Sequence, residues 1–495
     1  MKNLILTTAL AIFVSLSTFG QNKTEIVNNA KKLLKENKYE PAGLLLKTYY
    51  AKNSTDLEYV WLYAYTAHLN KQDELATQLY DKAISISPEN MDLKLEYARM
   101  LYETGNLNGA QQQVAILKTS SIDQSEVLLL DATLNYWNGK FGKANESLLL
   151  LKKLYPNSTI TDQLTQMIKD TRAPFLQAEL NYLSDNQPLE AISEQIKLGK
   201  YHSWILYPTL TLKNYNFSSS SQVIEATLSN IVQFGNIGLS AKVEGGTYYN
   251  QAINKNNWIG EFYFNKSLSN KTNLKFGVNR KPYIATNIST TYDLLQNNVY
   301  ASIESGNITN SSFLHFGYNY QFFDDQNSIQ TFGAWGLSKP LLSSAVKIQL
   351  GYGFSYSDSK TILYVPIQPT HITTTNGISV VDGEYSPYFT PDNLMINSAI
   401  LVMGFDLSKQ LKVTAKGNYG FYAQANTPQL ISNTQLFGDT EIELNSSTTK
   451  FSPFDLEFSL NYQLNKKLNI TAKAAYFDTY YYNSLNTTVR LDYRF

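Results

Sequence analysis

Residues 454–464 read FDLEFSLNYQL. Phe454, Leu456, Phe458, Leu460, Tyr462 and Leu464 fall on one parity, and Asp455, Glu457, Ser459, Asn461 and Gln463 on the other. Successive side chains of a β-strand point to opposite faces, so this stretch predicts a strand with one apolar and one polar face. The final residues repeat the pattern, with Phe495, Tyr493, Leu491, Val489 and Leu485 on one parity and Arg494, Asp492, Arg490 and Asn486 on the other. LNITAKAAY and LKVTAKGNYGF place Lys473, Lys412 and Lys416 on the polar parity, and IGLSAKVEGGTYY does the same with Lys242 and Glu244. Charge in the middle of strand after strand requires a sheet whose second face meets water. A closed membrane barrel, apolar outside and polar inside, has that geometry in segments of roughly ten residues.

The connections between these segments alternate in length. LNKKLN, LSKQLK and LSNKTN are tight, whereas KPYIATNISTTYDLLQN, the segment from Ser357 to Asn393, and QANTPQLISNTQLFGDTEIELNSSTTK are long. Short turns on one side and long loops on the other are the mark of outer-membrane barrels, with the long loops outside the cell. Counting back to Phe175 gives about sixteen strands. The soluble alternative with the same alternation is a β-sandwich or a solenoid of sheets.

Ahead of the strands, residues 21–170 follow a different period. Ala30, Ala64, Ala98 and Ala132 are spaced 34 residues apart, as are Ala42, Ala76, Ala110 and Ala144, with Leu46, Tyr80, Val114 and Leu148 four residues after the second set. This spacing matches the tetratricopeptide (TPR) repeat, two antiparallel helices per unit, in which a small residue sits where helices cross closely and a large one fills the gap beside it. About four repeats fit. The predicted class is therefore α+β multidomain: an all-α TPR solenoid followed by an antiparallel transmembrane β-barrel over residues 171–495.

Composition narrows the function. Lys+Arg and Asp+Glu both number 41, so no excess charge points to nucleic acid. Cysteine is absent, which removes disulfides, thiolate metal sites and a lipid anchor. Tyrosine is abundant, at 36 residues, as befits strands and membrane interfaces. Residues 1–20 carry Lys2, an apolar run from Leu4 to Leu16 and small residues before Gln21, the pattern of a cleaved secretory signal. The expected location is the outer membrane, with the repeats in the periplasm and Phe495 and Tyr493 as the signal read by the barrel assembly machinery.

No catalytic constellation emerges. His68, His202, His315 and His371 lack metal-ligand spacing, so neither metal nor cofactor is expected. Asp455 and Glu457 lie two apart on one face, but a pair of lumen-lining carboxylates describes them better than an acid–base pair. The expected lumen lining is Lys242, Glu244, Lys412, Lys416, Asp455, Glu457, Lys473, Arg490, Asp492 and Arg494. Its mixed signs, with many hydroxyls, amides and aromatic rings, suit a neutral or weakly charged polymer better than one class of ion.

The order of signal, TPR array and barrel resembles the exopolysaccharide-export porins of cellulose and poly-N-acetylglucosamine secretion. NRKPYIATNISTTYD, with Arg280 and Pro282, and DGEYSPYFTPDN, with Tyr385, Ser386 and Pro387, resemble segments of the outer-membrane barrel that serves cellulose synthase. The resemblance implies polysaccharide export. The long segment from Ser357 to Asn393, with Tyr385 and Tyr388, reads equally as a constriction folded into the pore or as a surface loop; Arg280, Tyr385 and Tyr388 are the candidate loop-constriction residues. The short array departs from those exporters and suits docking of a periplasmic protein. A YaiO-type barrel or a general small-solute porin is the alternative.

Overall fold

The computed structural model describes residues 23–495 except 121, 123, 157, 158, 188, 220, 235, 236, 270, 343, 344, 368–371, 376, 377 and 435–439; the expected signal segment and His371 lie outside the described residues. The chain divides into two compact units after Ile168.

The first unit is helical. Helices α1 (Lys23–Lys35), α2 (Tyr39–Asn53), α3 (Leu57–Leu69), α4 (Asp73–Ile86), α5 (Met91–Glu103), α6 (Leu107–Leu117), α7 (Gln124–Trp137) and α8 (Phe141–Leu154) form consecutive antiparallel pairs, and α9 (Thr159–Arg172) follows. The eight alanines of the 34-residue register all have 0 % exposure, as do Leu46, Tyr80 and Val114. Every pair turns by the same device. Asn37, Lys71, Gly105 and Gly139, again 34 apart, have φ of 58°, 62°, 84° and 66°. The amide of the next residue reaches back to the carbonyl of Leu33, Ala67, Leu101 or Asn135 at 2.8–2.9 Å. This is a Schellman closure, whose left-handed residue is easiest for glycine, which has no Cβ to clash. Helix starts are capped where the sequence supplies Asx: Asp56, Asn90 and Asn106 accept from the amides of Tyr59, Leu93 and Gly109, each at 3.0 Å. Among the described residues no helix is long and apolar enough to cross a membrane.

The second unit is a closed antiparallel barrel. Strands β1 (Phe175–Asp185), β2 (Glu190–Gly199), β3 (Pro208–Phe217), β4 (Gln222–Phe234), β5 (Leu239–Asn250), β6 (Lys255–Ser267), β7 (Thr272–Pro282), β8 (Leu295–Gly306), β9 (Phe313–Phe323), β10 (Ser328–Leu337) and β11 (Val346–Ser359) pair in succession. Four short strands, β12 (Tyr364–Pro366), β13 (Ile372–Thr375), β14 (Ile378–Val381) and β15 (Gly383–Tyr385), lie within the next connection. The wall resumes with β16 (Leu394–Asp406) and β17 (Leu411–Thr434), then β19 (Phe454–Gln463), β20 (Leu468–Asp478) and β21 (Asn483–Arg494). β21 pairs with β1 from Phe175–Arg494 to Asp185–Ser484, completing a ring of 16 strands. Closure leaves no free edge among the 16 wall strands. Gln177 Nε2 donates to Asp492 Oδ1 at 2.6 Å across the seam, and the Phe495 amide donates to Pro174 O at 3.1 Å.

The stretch read as a long loop over 424–450 is largely strand. β17 continues past the wall, and from Ala423 onward it pairs with β18 (Thr440–Phe451). Pro428 interrupts the sequence pattern there, but it faces Ser446 at a position where a missing amide is tolerated.

Candidate functional site

Parity decides what each strand shows to either side. Leu180, Leu228, Val243, Trp258, Leu314, Leu350, Leu456 and Val489 are among the apolar side chains exposed on the outer wall. A belt of exposed Leu, Val, Phe and Trp around a closed ring is stable only against lipid, and the opposite face is then aqueous. The fold thus defines a transmembrane β-barrel with an attached helical-repeat unit.

The inner wall carries ladders of charge. Lys242 Nζ lies 2.7 Å from Glu244 Oε2 on its own strand and 2.9 Å from Glu261 Oε2 on β6. Glu261 also accepts from Tyr300 Oη at 2.9 Å. The register extends this patch: Lys213 faces Glu225, and Glu179 faces Arg490. A cavity of about 640 Å3 opens among these side chains. Arg490 Nε donates to Asp492 Oδ2 at 3.1 Å. Farther round, Lys416 faces Glu457 and Asn418 faces Asp455, whose Oδ2 accepts from Asn418 Nδ2 at 2.8 Å. Lys412 faces Asn461, and Lys473 faces Ser459 and Thr488. Arg494 sits at the rim opposite Phe175. Lysines also lie over aromatic faces: Lys213 Nζ is 4.2 Å from the Tyr215 centroid, and Lys275 Nζ is 4.4 Å from that of Tyr263.

Several inward residues went unread in the sequence, among them Lys213, Glu225, Glu261, Lys275 and Trp335. Their signal was the same parity, but it was blurred where polar residues also face outward. Asn214 and Asn216 share the outward parity of Leu210 and Leu212 on β3, so neither face of that strand is purely apolar.

Two readings are corrected. Arg280 is not a loop residue; it lies within β7 and faces Gly260 in the register, on the parity of the outward Trp258. Its guanidinium stacks over Trp258 at 4.8 Å and donates to Asn297 Oδ1 at 3.1 Å. The strand continues to Pro282, one pleat past the expected turn, which turns Arg280 away from the lumen. Tyr388 does not face an opening either. It is fully buried, stacked on Phe323 at 3.9 Å, and donates to Asp325 Oδ2 at 2.7 Å.

Tyr388 and Tyr385 instead tether a strap across the mouth opposite the Phe175 rim. Thr286, in the β7–β8 loop, donates to Pro387 O at 2.8 Å. Tyr385 and Phe389 pack on Tyr481 in the β20–β21 turn, with centroids 5.8 and 4.7 Å apart. In the strand order those two connections are half the ring apart. Burial pushes the Tyr283 and Tyr481 hydroxyls up to about 12, so the tethering phenols are neutral at physiological pH.

In the helical unit, Glu96 Oε1 accepts from Trp61 Nε1 at 2.8 Å and from Tyr80 Oη at 2.7 Å, joining neighbouring repeats. His68 is buried, with Nε2 2.9 Å from Glu103 Oε2 of the next repeat, and is a packing residue.

The chain matches no family model, and no curated protein sequence matches it. Among solved structures, a bacterial polysaccharide outer membrane secretin is similar over 66 % of this chain and 99 % of its own, at 8 % identity and a TM-score of 0.47. The CymD monoaromatic hydrocarbon channel is similar over 67 % of this chain and 90 % of its own, at 12 % identity and a TM-score of 0.33. Pseudomonas aeruginosa pilF is similar over 31 % of this chain and 69 % of its own, at 19 % identity and a TM-score of 0.27. These likenesses are distant, and the fold assignment rests on the strand ring and the helical register themselves.

Proposed function

We propose that the protein is a non-enzymatic outer-membrane pore through which a neutral or weakly charged secreted polysaccharide crosses, and that its helical repeats recruit a periplasmic protein. The observation that carries this reading is the self-neutralised inner wall. Lys242 is held between Glu244 and Glu261, Arg490 is paired with Asp492, and Lys347 Nζ lies 2.9 Å from Asp406 Oδ2. Paired charges leave little net field to select ions, yet they keep donors and acceptors in place for hydroxyls. Tyrosine and tryptophan faces between them offer apolar patches that suit the C–H faces of sugar rings. A barrel of about sixteen strands is wide enough for an aqueous channel. The chain enters the barrel at the rim that holds Phe495, and the longest connection, between Ser359 and Leu394, leaves the opposite rim, which supports a periplasmic side for the Phe495 rim and the repeats. Barrel assembly machinery would engage the β21 end, where Tyr493 faces outward and packs on Phe495 at 5.1 Å.

Single-channel conductance in planar bilayers tests the reading. A conductance blocked by oligosaccharides, and little altered by amino acids or by exchange of simple ions, is expected. A pore indifferent to sugars would instead be a general diffusion or YaiO-type barrel.

A further inference from the structure

Most of the inner wall is a lattice of long polar side chains, but one sector is bare. Trp335 on β10 has Gly353 as its direct partner on β11 and Gly333 two residues before it on its own inward face, and Gly333 pairs with Gly317 on β9. A Cβ placed on Gly333 would meet nothing within 4 Å, so the glycine opens space beside the indole and is not required by crowding. That space is a cavity of about 300 Å3, lined by Trp335, Gly333, Gly353, Ser398, Lys416 and Asn418. Its size falls in the range of small-ligand sites, which are largely apolar with a few placed polar groups.

The polar groups are present. Lys416 Nζ lies 5.1 Å from the Trp335 ring centroid, and Asp455 closes the far side through its bond from Asn418. Asn418 Oδ1 is buried in the wall and has no hydrogen-bond partner among the described residues. A buried acceptor left unpaired costs free energy until a donor arrives. Trp335 is itself held in place, with its ring 4.7 Å from Phe313 and 5.8 Å from His315, whose Nδ1 lies 3.1 Å from Glu304 Oε1.

We infer that this bay is a saccharide subsite in the pore wall, with the Trp335 indole as the platform for one sugar ring and Lys416, Asn418 and Asp455 as partners for its hydroxyls. A pyranose has an apolar C–H face and a rim of hydroxyls that both donate and accept, which is the complement of an indole edged by an ammonium, an amide and a carboxylate. The inference rests on the polysaccharide reading and gives the passing chain a point of registration. Contact with one ring at a time holds the polymer weakly enough to leave.

The test is block of the full-length pore in planar bilayers by cellohexaose. Trp335→Ala is expected to weaken block by at least tenfold, with Trp335→Phe within about threefold of the native pore because a ring is retained. Gly333→Val, which fills the bay and leaves the indole intact, is expected to weaken block to a similar extent, and it serves if the alanine variant does not assemble. Block of the native pore with unchanged block in both Trp335→Ala and Gly333→Val would overturn the subsite and leave the conduit reading standing. A native pore that cellohexaose does not block would overturn both.

Discussion

The two units use the same apolar residue types in opposite ways. In the helical unit Leu46, Tyr59, Tyr80 and Leu93 are wholly buried, and the surface is charged. In the barrel Leu228, Val243, Trp258 and Leu456 are more than half exposed, while Lys242, Glu244 and Glu261 are turned inward. One unit hides its hydrocarbon from water in a core. The other presents it to lipid and keeps water in the middle. The difference is written in the period, 3.6 with fixed alanines against 2 with alternating charge. Composition alone would not reveal it.

The largest expected effect is on the core of the repeats. Tyr80 stacks on Tyr97 with centroids 5.2 Å apart and bonds Glu96, so Tyr80→Ala opens a cavity and leaves Glu96 with the Trp61 bond but without the Tyr80 one. A loss of about 3–5 kcal/mol is expected, read as a lowered midpoint of the 222 nm helical signal in the full chain. An unchanged midpoint would show that the repeats do not unfold around this contact.

The barrel makes the opposite prediction at two adjacent positions. Val489→Arg puts a charge against lipid near mid-strand and is expected to cost about 2–4 kcal/mol in urea titrations of the reconstituted protein. Thr488→Arg faces inward and is expected to fold normally with an altered conductance. Equal destabilisation of the two variants would contradict the assigned parity.

Smaller effects are expected at the wall and the strap. Lys242→Met leaves Glu244 and Glu261 without their shared cation, so the reversal potential in a salt gradient is expected to shift toward cation selectivity. For the strap, the folded-state pKa of Tyr283 and Tyr481 lies above the usual tyrosine value of 10.0, near 12. Folding therefore favours the neutral phenol. The associated stability is complete below about pH 10 and is lost as the pH rises toward 12. Protease cleavage in residues 360–393 is expected to increase over that window and to stay constant from pH 6 to 9.

The smallest effect belongs to the helix cap at Asp56. Asp56→Ala removes the acceptor of the Tyr59 amide and the partner of Lys23, at a cost of about 1 kcal/mol. Burial opposes ionisation of Asp56, but the bonds from Lys23 and the Tyr59 amide outweigh it and hold the carboxyl below its ordinary value. That contribution is present above the unfolded pKa of about 3.9 and fades as the pH falls through the folded value.

How much of this was legible in the sequence follows from how local each signal is. The alanine register and the alternation in 454–464 are local patterns, and the fold class could be read from them. The shared left-handed turn at Asn37, Lys71, Gly105 and Gly139 was less visible, because two of the four residues are not glycine. The β17–β18 hairpin was hidden because Pro428 and the polar run around it read as loop. Arg280 was misplaced by a single pleat at the end of β7. The Trp335 bay depends on glycines from three strands meeting side by side, which registers across β9, β10 and β11 determine and no single stretch contains.

One face of this wall meets lipid and the other meets water. The chain has no cysteine, so single cysteines placed in turn at 485–492 can be labelled with a membrane-impermeant thiol reagent in reconstituted vesicles. Strict alternation is expected, with 486, 488, 490 and 492 labelled and 485, 487, 489 and 491 protected. Uniform labelling of both parities would show a soluble sheet, and the membrane pore would fall with it.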